Sequence, residues 1–428
     1  MKHRRIISLL LLALLCTWGL RLEATYLAVN HCDRDTGGVS LPTGFCATVF
    51  ADHLGVARHM AVDADGDVYV ALQQPVDGHG IAALEDSHGS GHADVVRGFG
   101  DAGGSGTAVG GGYLYFASDT AVFRYPLKPG ELLPTGPAET VVDGFPAQDE
   151  HAAKTIALDG AGHLYVNVGA PSNACQQDDR VPGSPGIKPC PLLAEHGGIW
   201  RFDADRTRQK FPQDGMRYAT GIRNAVAITW NQQAGALYAL QMGRDQLSDN
   251  WPKLYTDAQN AELPAEEFLR VRQGDDYGWP YCYYDGVQKK KLLAPEYGGD
   301  GKTVGGCDKY AQPIADYPGH WAPESVLFYT GKLFPAHYQG GAFISFHGSW
   351  NRAPLPQAGY KVIFQPFKDG LPAGPYEVFA DGFAGSEDLR NRGDARFRPM
   401  GLTQGPDGAL YIGDTQQGRI WRVVATTH

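Results

Sequence analysis

The chain of 428 residues carries 56 glycines and 28 prolines and a formal net charge of −10. Such acidity argues against a nucleic-acid partner, whose phosphates are met by clustered Lys and Arg. Glycine and proline at this density suit many short strands joined by turns and exclude a fold built on long helices.

At the N-terminus, Lys2, Arg4 and Arg5 precede an apolar run from Ile6 to Leu15, which is short for a membrane span. The pattern predicts an export signal over residues 1–24, cleaved after Ala24, and a periplasmic or secreted product, with an uncleaved anchor as the alternative reading. Residues 25–428 are then expected to form one domain. Beyond Cys16 in the signal, six cysteines fall into three local pairs: Cys32/Cys46, Cys175/Cys190 and Cys282/Cys307. An even count in an exported chain predicts three disulfides. No C-x-x-C or haem-attachment motif occurs.

One pattern recurs, a polar or glycine-containing turn followed by a short strand with an aromatic residue near its centre. It appears in "DADGDVYVA", "GGGYLYFAS", "DGAGHLYVNVG", "NQQAGALYAL" and "GPDGALYIGD", with a degenerate copy in "YQGGAFISFHG". Spacings that begin at roughly 40–50 residues and lengthen where loops are inserted mark a β-propeller with four strands per unit. Six copies predict an all-β, six-bladed β-propeller. The C-terminal "GRIWRVV" is expected to complete a blade with a strand from "GFCATVFA" near the N-terminus. Function in such a ring gathers at one mouth of the central channel, so the informative residues flank the repeats.

Four clusters do so. In "DEHAAKTIALDG", His151 precedes a strand pair, and a histidine there serves either as a general base or as a structural hydrogen-bonding group. Lys154 and Thr155 share that segment. Arg223 and Asn224 precede the hairpin Ala227–Leu240; the arginine suits a carboxylate or oxyanion, or a packed ion pair. In "MGRDQLSDN", Gly243 and Arg244 lie in a turn whose carbonyls suit a hard cation, with Asp245, Asp249, Asp275 and Asp276 as further oxygen donors. No calcium loop of fixed spacing is present. In "GDARFRPMGL", Arg396 and Arg398 are two apart and share a side of an extended segment, which calls for an anion. Together these groups describe a site for a polyanionic small molecule bridged by a metal.

Several longer segments, in order, carry a family resemblance: "GIRNAVAITW", "MGRDQLSDN", "YGWPYCYYDG", "HWAPESVLFYTGKLFP", "FHGSWNR", "GYKVIFQPF" and "RPMGLTQGPDGALYIGDTQQGRIWRV". From about Leu41 to Val423 the chain resembles the soluble quinoprotein sugar dehydrogenases, in particular their sorbosone dehydrogenase-like branch. The resemblance implies a six-bladed propeller binding pyrroloquinoline quinone (PQQ) and Ca2+ at the channel mouth, and oxidation of an aldose sugar or related aldehyde by hydride transfer to the quinone. It implies His151 as the base and PQQ contact, and Arg223 as the group that polarises the quinone. Asn224, Arg396 and Arg398 are implied as further PQQ contacts, Gly243 and Arg244 as the catalytic calcium turn, and Asp249, Asn250 and Tyr277 as a second calcium region. Electrons would leave to a separate acceptor. The sequence departs from the family where Ser105 stands in place of a glutamine, and where a lysine against PQQ is unmatched; His347, Trp350 and Arg352 are its nearest replacements. Two other readings are a calcium-dependent lactonase and a non-catalytic binding propeller.

Overall fold

A computed structural model describes residues 32–426; the predicted export signal lies outside the described residues. Six antiparallel sheets stand side by side, each running outward from an innermost strand. Blade 1 comprises Ala57–Val62, Val68–Val76, His79–Glu85 and Val95–Phe99. Blade 2 comprises Gly106–Gly110, Tyr113–Ala117, Ala121–Pro126 and Glu139–Asp143, and blade 3 Ile156–Leu158, His163–Val168, Gly198–Asp203 and Met216–Thr220. Blade 4 is built from Ala227–Asn231, Ala236–Gln241, Glu266–Val271 and Ala315–Tyr317, and blade 5 from Pro323–Phe328, Ala342–Phe346, Lys361–Gln365 and Glu377–Ala380. Blade 6 takes Pro399–Gln404, Leu410–Asp414 and Ile420–Ala425 from the C-terminal region and Phe45–Ala51 from the N-terminal region. Phe45 pairs with Ala425 and Val49 with Trp421, the closure expected from the two terminal segments. The six innermost strands neighbour one another in a closed ring.

The repeated aromatic sits on the second strand of each blade, and its role is architectural. Tyr69, Tyr115, Tyr165, Tyr238 and Tyr411 are buried. A buried phenol needs a partner for its hydroxyl. Three of them donate across a blade boundary: Tyr69 to the Leu132 carbonyl (3.1 Å), Tyr115 to Ala204 (3.0 Å) and Tyr238 to Gly370 (2.7 Å). Short strands also reach across the rim. Gln209–Lys210 pairs in parallel with the outer strand of blade 2, and Asp275–Asp276 with that of blade 3, covering edges otherwise left unpaired. The three expected disulfides are formed.

Because the strands alternate in direction, the starts of all six innermost strands and the loops between second and third strands open on one face. Three of those loops are long: residues 169–197, 242–265 and 347–360. The first is closed by Cys175–Cys190. The second carries the helix Leu247–Asn250 and the helix Asp257–Glu262, which begins with a Thr256/Gln259 capping box. The third is bound to the second by Arg352, which donates to the Ala261 carbonyl at 2.5 Å and to Gly319 at 3.2 Å. Arg352 is therefore committed to structure, and Trp350 beside it is exposed.

Candidate active site

His151 stands five residues ahead of Ile156, where the first strand of its hairpin begins, with φ +53°. Its Nδ1–H donates to the Ala170 carbonyl at 2.6 Å, which leaves the lone pair on Nε2. Burial, and then the charge of Arg223, hold the imidazole well below its ordinary range, at about 4. At neutral pH it is an unprotonated base. The fit is close: a Cβ on Gly169 would lie 2.6 Å from the His151 Cβ and 2.7 Å from Asn224 Oδ1.

Arg223 is buried and fully directed. It donates from Nε to the Asn173 carbonyl (3.2 Å), from Nη1 to Gly243 (2.9 Å) and from Nη2 to Asp245 (2.8 Å). Asn224 accepts from Asn167 Nδ2 at 3.1 Å through Oδ1. Asp245 is the hub of the turn. Arg223, Arg180 and Asn351 Nδ2 all reach its carboxylate, and Asn173 brackets its backbone, accepting the N–H at 2.8 Å and donating to the carbonyl at 2.9 Å. Burial raises the Asp245 pKa, but Arg223, His320 and Arg180 outweigh it and hold the carboxyl at about 2. Glu266 fixes the same turn from below. One oxygen accepts the Gly243 N–H (2.9 Å) and the other the Ala322 N–H (3.0 Å), while burial pushes its pKa up to about 8.

Across the channel a second cluster forms around Arg58, His59 and Glu324, which the sequence reading did not select. Arg58 donates to Glu324 (3.3 Å) and to Ser105 Oγ (3.1 Å). The His59 ring lies between the carbonyls of Ser105 (3.1 Å) and Glu324 (2.9 Å). His347 Nε2 meets Thr415 Oγ1 at 2.7 Å, and burial followed by Arg398 and Arg58 keeps it neutral. Arg58, His59 and Glu324 all sit at the start of an innermost strand, the position that singled out His151 and Arg223. Ser105 and His347, proposed as replacements for the family's glutamine and lysine, both belong to this cluster.

Ala395, Phe397 and Pro399 are buried while Arg396 and Arg398 turn outward, so the two arginines share a side, as their spacing predicts. Their neighbours differ. Arg398 donates to the carbonyls of His347 (3.1 Å) and Gly348 (3.0 Å) and lies over Tyr360. Arg396 lines an adjoining cleft of about 800 Å3 with Trp321, Tyr360 and Lys361. Among the described residues neither forms an ion pair with a carboxylate. Lys154, also buried, donates to the Ala152 carbonyl at 2.5 Å.

Of the residues suggested for metal binding, Gly243, Arg244, Asp249 and Asn250 share the loop of residues 242–265, whereas Tyr277 lies outside it. Among the described residues no three His, Cys, Asp or Glu side chains converge on one point. The Gly243 carbonyl accepts from Arg223, and the Arg244 side chain is committed to Glu296 and to the Asp245 carbonyl. Asp249 is exposed, whereas Asn250 is buried with its side-chain amide unpartnered and its carbonyl accepting from Gly183. Tyr277 lies apart between blades 3 and 4, its carbonyl taken by Lys291 Nζ at 2.6 Å. Asp275 and Asp276 cap their own turn, accepting from Arg272 and Gly278.

Residues 39–426 match the TrAA12-like family. The chain belongs to that family. A pyrroloquinoline quinone-dependent sugar dehydrogenase of Hypocrea jecorina is 24% identical over 334 residues, 73% of this chain and 71% of that one. A pyrroloquinoline quinone-dependent pyranose dehydrogenase of Coprinopsis cinerea is 26% identical over 279 residues, and an uncharacterized protein of Borreliella burgdorferi 29% over 206. This chain spans 36% of the Coprinopsis relative and 48% of the Borreliella one. Among solved structures, the calcium structure of a Trichoderma reesei family AA12 carbohydrate-active enzyme superposes with TM-score 0.73 at 20% identity, covering 91% of this chain and 97% of that one. The holo PQQ domain of pyranose dehydrogenase from Coprinopsis cinerea gives 0.70 at 20% identity, covering 90% and 97%. These likenesses bear out the six-bladed fold.

Proposed function

We propose that the protein is a PQQ- and calcium-dependent oxidoreductase that oxidises a sugar at this mouth. The observation that carries the reading is the neutral His151, with Nε2 open, set beside the directed Arg223. The relatives' names, sugar dehydrogenase and pyranose dehydrogenase, support the substrate class. The donor set suits PQQ: Arg398 and Arg396 carry positive charge with no carboxylate paired to them, which fits a ligand bearing carboxylates. For calcium, the Arg244 carbonyl accepts no hydrogen bond among the described residues, and Asp245 adjoins it, so backbone oxygen with ligand oxygens would complete a hard-cation shell. When bound, PQQ supplies an ortho-quinone able to accept a hydride. The chain's own part is proton handling and charge placement. His151 Nε2 takes the proton of the substrate hydroxyl, the Ala170 carbonyl keeps the ring aligned through Nδ1–H, and Arg223 holds fixed positive charge beside the reacting centre without reorganising.

Three disulfides support an exported protein, in the periplasm or outside the cell. The electrons then pass to a separate acceptor.

The test is PQQ binding, followed by absorbance, with calcium and with a chelator present. Binding that requires calcium, weakens at least tenfold in Arg398→Ala, and is followed by dye reduction with aldoses supports the reading. Absence of binding with calcium present sinks it and moves the weight to a lactonase or a binding propeller. The pH profile supplies a second check. A base held at about 4 is neutral above that value, so kcat/KM is expected to stay level from pH 7 down to about 5 and to fall tenfold per unit below about 4. An acid limb centred near 6.5 would contradict this.

A further inference from the structure

Arg180, met above only as one partner of Asp245, touches both halves of the base-and-turn arrangement. It lies inside the loop closed by Cys175–Cys190. Its guanidinium grips Glu150, the residue before His151, in a two-pronged contact with both distances 3.0 Å. The same group reaches Asp245 at 3.3 Å and donates to Gln246 Oε1 at 2.8 Å. Asp179 beside it is 3.6 Å away. We propose that Arg180 is a positioning residue that clasps the His151 segment to the Met242–Gln246 turn and shields the imidazole from the two carboxylates nearest it.

The backbone points the same way. His151, Cys175, Arg180 and Gln246 all have positive φ, at 53°, 51°, 59° and 62°. A non-glycine residue is sterically strained in that region, and such residues persist where the surroundings over-determine them. Here His151, Arg180 and Gln246 meet at the clasp, and Cys175 closes the loop that carries Arg180. The loop that carries Arg180 is itself anchored: Ser172 Oγ donates to Asp179 at 2.5 Å, the Asn173 N–H does so at 3.0 Å, and the Gly183 N–H reaches the Asn250 carbonyl at 2.9 Å. Arg180 is thus presented by a rigid arm, and Asn250 helps hold that arm.

The electrostatics give the clasp a measurable signature. The charges acting on His151 are Arg223, from the start of blade 4, which opposes protonation, and Asp245 and Glu150, which favour it. Arg180 pairs with both carboxylates. Its removal takes the cation from Glu150 and one of two from Asp245, which keeps Arg223, so the surroundings of the imidazole turn more negative and the His151 pKa should rise. A purely structural role for the loop would not predict that direction.

The inference rests on His151 as the base, but its test does not depend on turnover. Histidine ring signals would be followed by NMR against pH in the cofactor-free full chain, with His151→Gln identifying the resonance. In the wild type His151 should stay neutral to about pH 4. Arg180→Met should raise the midpoint by about one unit, a tenfold gain in proton affinity, and Arg180→Lys should restore it. If Arg180→Met does not fold, Glu150→Gln serves instead and should lower the midpoint. An unchanged midpoint in a folded Arg180→Met protein, or a rise in Glu150→Gln, overturns the clasp. A shifted midpoint in a protein that never turns over a sugar leaves the clasp standing and refutes the dehydrogenase.

Discussion

Replacing His151 by glutamine is expected to lower kcat by about 10²–10⁴-fold, the usual contribution of a positioned base. The glutamine amide can still donate to the Ala170 carbonyl, the bond His151 makes at 2.6 Å, so the segment keeps its course. Calcium-dependent PQQ binding should therefore change little. Steady-state kinetics beside PQQ titration separate the two quantities. A variant that binds PQQ and retains wild-type kcat would remove His151 from the chemistry.

The largest effect on stability is expected from Lys291→Met. Lys291 and Glu267 form a buried pair at 2.8 Å, with side chains 1% and 4% exposed. Lys291 also donates to the Tyr277 carbonyl, and Glu267 accepts from Gln241 Nε2 at 2.7 Å. Removing the ammonium strands a carboxylate without its cation in a dry interior and leaves a carbonyl without a donor, which costs about 3–5 kcal/mol. Denaturant unfolding measures the loss, and adding Glu267→Gln should recover part of it by removing the stranded charge. The damage should also reach the mouth, because Gln241 Oε1 accepts the Arg223 N–H at 2.7 Å. A loss below about 1 kcal/mol would show that water or another group satisfies Glu267.

The fold was legible because its signal is local and repeated. Each turn-and-strand copy marks the second strand of one blade, and the closing strands are plain in "GRIWRVV" and "GFCATVFA". The base-and-turn half of the site was legible in part, since His151 and Arg223 precede hairpins that can be recognised. The second cluster was not. Arg58 and Glu324 meet across 266 residues, and nothing near either one names the other. Their signal is positional: once six innermost strands are assigned, the residues at each strand start are the ones to inspect. The implied second calcium region was legible only through resemblance. Asp249 and Tyr277 fit a pattern by resemblance, but in this chain a lysine from the hairpin Cys282–Leu293 reaches the Tyr277 carbonyl, and "KKKLL" gives no hint of that.

Blade 6 carries a consequence for how the molecule is made. Its outer strand, Phe45–Ala51, is synthesised before the other blades, while the three strands it must join, within residues 399–425, are made after all five of them. Five blades can form while synthesis proceeds, but the circle cannot shut until residues 399–425 have been made. Until then blades 1 and 5 each present a bare flank. Such a contact between distant segments forms slowly, because a very long loop must be closed first. The open arc is therefore the species most exposed to misassembly, with the strand around Cys46 waiting for its partner.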